Sequence, residues 1–135
     1  MEQKMPGFLQ STSATQPTVQ STTFTSADTT VAKTVLTAPG GPFHLFEIIL
    51  CSDDTAAQVV DIFVRVGSTN FLLGSISVPA GSGKAGALPV YFVKTVFPDT
   101  LIGLDIGGAS SIQAALEATM TAAKTITIHA SYGLY

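Results

Sequence analysis

Apolar and polar positions alternate through residues 58–66: Val60, Ile62, Val64 and Val66 interleave with Val59, Asp61, Phe63 and Arg65. After Gly67-Ser-Thr-Asn70 a second run, Phe71 to Val78, begins. A period of two is the signature of strands, and two such runs across a short Gly-containing loop predict a β-hairpin. Register follows from parity. If Val66 faced Phe71, Ile62 would sit opposite Ser75 and core positions would meet the wrong face. A three-residue loop, Gly67 to Thr69, instead sets Val64 opposite Leu72 and Val60 opposite Ile76, a consistent apolar face. The same register puts Phe63 beside Leu73 and Arg65 beside Phe71, so the other face is also largely apolar. A hairpin apolar on both sides needs a second cover, from elsewhere in the chain or from a partner subunit.

The flanking segments are read the same way. Alternation over Thr29 to Ala38 predicts a first strand, stopped by Pro39-Gly-Gly-Pro42, a strong turn. Phe43 to Ser52 is the most apolar run and reads as a central strand covered on both sides. Asp53-Asp54-Thr breaks into a loop, and Pro79 to Ala87 reads as a flexible connection. Leu88 to Phe97 alternates like a strand, with Pro89 confined to its start or to an edge because it lacks an N–H. Leu101 to Ile106 is a short strand closed by Gly107-Gly108. Ser110 to Thr119 admits two readings. Ser110 and Gln113 fit a capping box and the alanines favour helix, whereas Ile112, Ala114 and Leu116 alternate and the surroundings are β; context favours strand. Lys124 to Ser131 is a final strand with Ile126, Ile128 and Ala130 on one face and Thr125, Thr127, His129 and Ser131 on the other. About eight strands at short spacing, with no long amphipathic helix, predict an all-β, antiparallel two-sheet sandwich of jelly-roll-like topology spanning residues 29–135.

Residues 1–28 differ in composition. They are rich in Gln, Ser and Thr, contain Pro6 and Pro17, and have few large apolar groups, so they cannot offset the entropy of folding alone. They read as an extended N-terminal arm, with Phe8, Leu9, Val19 and Phe24 as anchors onto something else.

Composition narrows the function. The 135 residues make one domain with a core of its own. Only 11% of residues are charged, against about 25% in average globular chains. The net charge is −3 and the cations are scattered singly, whereas nucleic-acid binding needs them clustered. No direct nucleic-acid partner is expected. The first ten residues lack the apolar stretch of a secretory signal, and Glu47 interrupts the richest apolar run, so no membrane partner is expected either. Cys51 is the single cysteine, which leaves no intrachain disulfide or thiolate cage and fits synthesis in a reducing cytoplasm.

Candidate chemistry is sparse. Gly81-Ser-Gly-Lys-Ala-Gly86 matches G-x-G-x-x-G, but a dinucleotide site needs a helix beginning there, and the next segment is β-patterned. It fails as a phosphate loop as well, since Val78 stands where the first Gly belongs and Ala85 where a hydroxyl would hold magnesium. His44 and His129 would have to converge with a carboxylate to form a catalytic or zinc site. Asp53 and Asp54 could join Asp99 or Asp105 around calcium, yet no D-x-D-x-D loop exists and solvated turn caps are the simpler reading. Cys51 reads as a small buried hydrophobe. Ser and Thr are too numerous to single out a nucleophile. No enzymatic activity, cofactor or metal is expected. Tyr132, Leu134 and Tyr135 close the last strand with aromatics that serve core closure or an interface.

Four segments together carry a resemblance. The Thr/Ser/Gln-rich arm, Thr34-Val-Leu-Thr37 before its Pro-Gly break, Ser77-Val-Pro-Ala-Gly-Ser-Gly83 and Thr125-Ile-Thr-Ile-His-Ala-Ser-Tyr-Gly-Leu-Tyr135 resemble the small β-sandwich virion proteins of tailed bacteriophages, most of all capsid decoration or cement proteins. The resemblance implies a jelly-roll-like subunit, commonly a trimer, bound on the capsid surface to the major capsid protein and stiffening the shell. It carries no functional residue across. From the residues themselves, the expected interface is Phe8, Leu9, Val19 and Phe24 of the arm with Phe63, Phe71 and Leu73 of the hairpin. The alternative is a tail- or fibre-associated β-module that binds a carbohydrate or host receptor, against which the lack of Trp and the presence of only three Tyr count.

Overall fold

The computed structural model describes residues 17–100 and 103–135. Two antiparallel sheets face each other. One holds β1 (Thr18–Thr25), β9 (Thr125–Leu134) and β3 (Phe43–Ser52), with the short β6 (Val90–Tyr91) and β7 (Leu104–Ile106) both pairing with the far side of β3. The other runs β2 (Lys33–Leu36), β8 (Ser110–Leu116), β4 (Gln58–Val66), β5 (Thr69–Val78). If β6 and β7 are taken as two halves of one edge position, every connection except the β4–β5 hairpin crosses between sheets. That winding is a jelly roll, as the pattern predicts.

The core is built from alternate positions of both sheets. Ile48, Leu50, Ile126 and Ile128 on one side meet Val60, Ile62, Ile112 and Leu116 on the other, all fully or almost fully buried. β3 matches its expected span residue for residue, and Ser110–Leu116 is a strand: five of its seven residues are Ile, Gln, Ala, Ala and Leu in a row, all buried. Helix propensity in this stretch loses to pairing on both edges, with β2 and with β4.

Three expectations are corrected. First, the hairpin closes with the two-residue loop Gly67-Ser68, Gly67 adopting φ +62° as such loops require. Val60 does face Ile76, but a bulge at Leu73 shifts the outer half by one residue, so Val64 faces Phe71, Phe63 faces Leu72 and Arg65 faces Asn70. Secondly, Leu88 to Phe97 is not a strand beyond Tyr91; it turns into the single-turn helix α1 (Phe92–Val96). The cause lies in β3, where a bulge at Phe46 re-aims Glu47. The Glu47 carboxylate accepts hydrogen bonds from the Val93 and Lys94 amides, satisfying helix-start donors that a ladder would otherwise have taken. Phe92 then fills the core under Gly74, where an added Cβ would lie 2.9 Å from Val96 Cγ1.

Thirdly, the described part of the stretch read as an arm contains β1, an eight-residue strand in continuous register with β9. Its Thr-rich sequence suits an edge strand with one buried side chain, Phe24, which has no exposed surface. The strand expected over Thr29 to Ala38 is correspondingly shorter, Lys33–Leu36, and Val31 lies exposed outside it.

Candidate interaction surface

Large apolar side chains are exposed at the end of the β4–β5 hairpin. There Val66, Phe71 and Leu72 are 47%, 56% and 59% exposed. Phe71 and Leu72 are adjacent and so point to opposite faces of the sheet, Phe71 to that of its partner Val64 and Leu72 to that of Phe63. Leu73 itself is half-buried and packs on the core, and Phe63 is half-buried on the outer face opposite Leu72. Of the expected interface residues, Phe71 is the one fully presented on the hairpin. Val19 is exposed on β1, Phe24 is in the core of its own chain and is unavailable to a neighbour, and Phe8 and Leu9 lie outside the described residues. Sequence reasoning missed Val66 and Leu72. The signal was present in Phe71-Leu72-Leu73, since three consecutive large apolar residues cannot all face inward in a strand of period two.

β1 begins at this same end. Thr18 pairs with Tyr132, which pairs with Leu45, two residues from the Phe43–Ile106 rung; Gly108 then leads past Pro42 into Ser110, opposite Val66.

Every buried polar side-chain atom among the described residues has a hydrogen-bond partner. Asp54, buried, accepts from the Ala56 amide (3.0 Å), Gln58 Nε2 (3.0 Å) and the Thr121 amide (3.2 Å), joining the loops after β3 and β8. Burial pushes its pKa up, but hydrogen bonds from Thr121, Ala56 and Gln58 outweigh that and hold it at about 2. Asp53 accepts from the Thr125 amide at 2.6 Å. These two are structural ties, and Asp54 is a buried one rather than a solvated turn cap. Asp105 is at the other end of β3, where it pairs with His44 (Nδ1 to Oδ1, 2.8 Å) and accepts from the Tyr135 hydroxyl. The Tyr135 hydroxyl first, then His44, draw the Asp105 pKa down, and the same carboxylate raises that of Tyr135. Among the described residues no group of three or more His, Cys, Asp or Glu is placed to hold a metal ion.

The two histidines do not converge. His44 lies between Asp105 and Phe46, whereas His129 bonds Ser21 Oγ at 2.7 Å, four residues along β9 from the partner of His44, on the order of 13 Å at strand rise. The Gly81–Gly86 loop is not a flexible tip. Ser82 is buried, its carbonyl accepts the Ser52 amide at 2.8 Å, the Gly81 amide reaches the Asp54 carbonyl, and a Cβ on Gly83 would lie 2.7 Å from Cys51 Sγ. An open cleft of about 450 Å³ between α1 and β3 is lined by Phe46, Glu47, Lys94 and Thr100, with its one carboxylate already bonded to backbone.

No family model and no curated protein matches the sequence. Among solved structures, the chain is similar to one from the acidic stable capsid structure of Helicobacter pylori bacteriophage KHP30, with a TM-score of 0.50 and 11% identity over 90% of both chains. It is also similar to a chain of the cyanophage Pam1 capsid asymmetric unit, with a TM-score of 0.47 and 19% identity, covering 100% of this chain and 94% of that one. At such identity the likeness to the KHP30 chain is one of fold: this chain is an all-β jelly-roll sandwich of a kind that also occurs in a bacteriophage capsid.

Proposed function

We propose that the chain is a structural subunit of a bacteriophage virion, a decoration or cement protein that sits on the capsid surface, binds the lattice of the major capsid protein and stiffens the shell. The observation that carries this reading is the fold shared, over nine-tenths of both chains, with a chain of the KHP30 capsid structure. The physical chemistry agrees. A low-charge surface with an exposed apolar hairpin end gains its burial in an assembly, where subunit contacts stabilise by mass action. The polar clusters are consumed in holding loops and strand ends together, which suits a structural rather than a catalytic part. Phe71 and Val66 at the hairpin end and Val19 on β1 form the contact surface, and the segment carrying Phe8 and Leu9 straps onto the shell. Tyr132 is buried and Tyr135 is engaged with Asp105, so these aromatics do not favour the carbohydrate-binding alternative.

The test is co-sedimentation of the purified chain with empty shells of the major capsid protein from the same virus. Saturable binding, reduced about tenfold or more by Phe71→Lys, is expected. Binding that never rises above that of an unrelated sandwich protein would overturn the proposal.

A further inference from the structure

Every open sheet has two edges, and an edge strand presents a row of unpaired N–H and C=O groups that can template another strand. Of the edges here, β6 is two residues long, β7 three and β2 four with a bulge at Val35. β1 is longer, but β2 lies beside it, Lys33 Nζ donates to the Thr23 carbonyl at 2.7 Å and Gln20 Oε1 accepts the Thr37 amide at 2.9 Å. These edges are short or crossed by a charged side chain, the usual devices against strand addition.

β5 is different. It has ten residues, Thr69–Val78, with no charged side chain and no proline, and among the described residues nothing pairs with its free side. Helix α1 touches its inner face at Gly74 but takes no hydrogen bond from its edge. Leu72, Ser75 and Ser77 are exposed along it, and Phe71 stands at its outer end. We infer that β5 is an assembly edge and that its occupant is β5 of a second copy, added antiparallel across a two-fold axis to make one continuous eight-stranded sheet. A strand without charge can meet itself in this way because no like charges oppose each other, and an isologous contact closes at two subunits. Self-addition also brings the exposed Leu72 of each copy against the other's strand.

This inference goes beyond shell binding and is tested without shells. Native mass spectrometry and light scattering of the full chain at about 10 µM, a range in which a micromolar contact is populated, are expected to report a dimer. Hydrogen exchange is expected to show slow amides along both sides of β5. The double variant Leu72→Lys/Ser77→Lys, both exposed, is expected to keep its circular dichroism spectrum and midpoint while dimerisation weakens about tenfold or more. Val19→Lys, on β1, is expected to leave the dimer intact. A monomer, a trimer, a dimer indifferent to the β5 lysines or one abolished by Val19→Lys would each overturn the inference. A monomer that still co-sediments with shells would do so while leaving the proposed function standing, and a dimer that ignores shells would do the reverse.

Discussion

Asp54 and Asp105 are both carboxylates held low by hydrogen bonds, and they differ in what their loss would do. Asp54 is buried with three donors on it, so Asp54→Ala leaves the Gln58 amide and two backbone N–H groups without a partner and is expected to cost roughly 2–4 kcal/mol in urea denaturation at neutral pH. Because its folded pKa is about 2 against 3.8, the stability it contributes is complete above the unfolded value and is lost as pH falls from about 4 towards about 2. The variant should therefore lose less additional stability over that acid range than the native chain. Asp105 is largely exposed and its effect is local: in Tyr135→Phe its carboxyl should titrate closer to the ordinary value, read by NMR of the carboxyl carbon, and an unchanged titration would remove Tyr135 as the main cause. The sequence hinted at neither arrangement. Asp53-Asp54 has the composition of a solvated turn, and the partners that bury Asp54 come from as far away as Thr121. The His44–Asp105–Tyr135 contact likewise joins three elements with no local spacing to announce them.

Elements defined by their own periodicity were legible, and those decided by a distant side chain were not. β3 and β9 follow from alternation because both neighbours in the sheet reward it, and β8, whose residues also fit a helix, follows only from its β surroundings. α1 does not, since its first turn depends on the Glu47 carboxylate presented by a bulge in β3. Glu47→Ala should then destabilise by about 1–2 kcal/mol, the scale of a lost helix cap, measured by thermal or urea unfolding. No change would mean that Phe92 packing alone holds the turn. β1 was hidden for the opposite reason: a Thr- and Ser-rich strand with a single buried residue looks like an unstructured arm. Its place in the sheet moves the point at which the chain can be shortened. Removing residues 1–28 strips β9 of a neighbour and empties the Phe24 site, a loss of about 3–5 kcal/mol for the aromatic side chain alone, measured by urea unfolding.

As a whole molecule the sandwich hides its interior well; of its exposed large apolar residues, Val66, Phe71 and Leu72 gather at the hairpin end, whereas Leu88 and Val31 stand singly in loops. The alternating hairpin pointed to surplus apolar surface, and in the fold it emerges at the hairpin end, at Val66, Phe71 and Leu72, rather than over the full outer face. That concentration makes the central claim, that this chain is completed by assembly onto a capsid, sharply testable. The direct measurement is the occupancy of purified chain on major capsid protein shells by cryo-electron microscopy. The account predicts ordered density for the sandwich at repeated lattice positions, with the hairpin end and the segment before Thr18 against the shell. Bare shells in the presence of excess folded chain would contradict it.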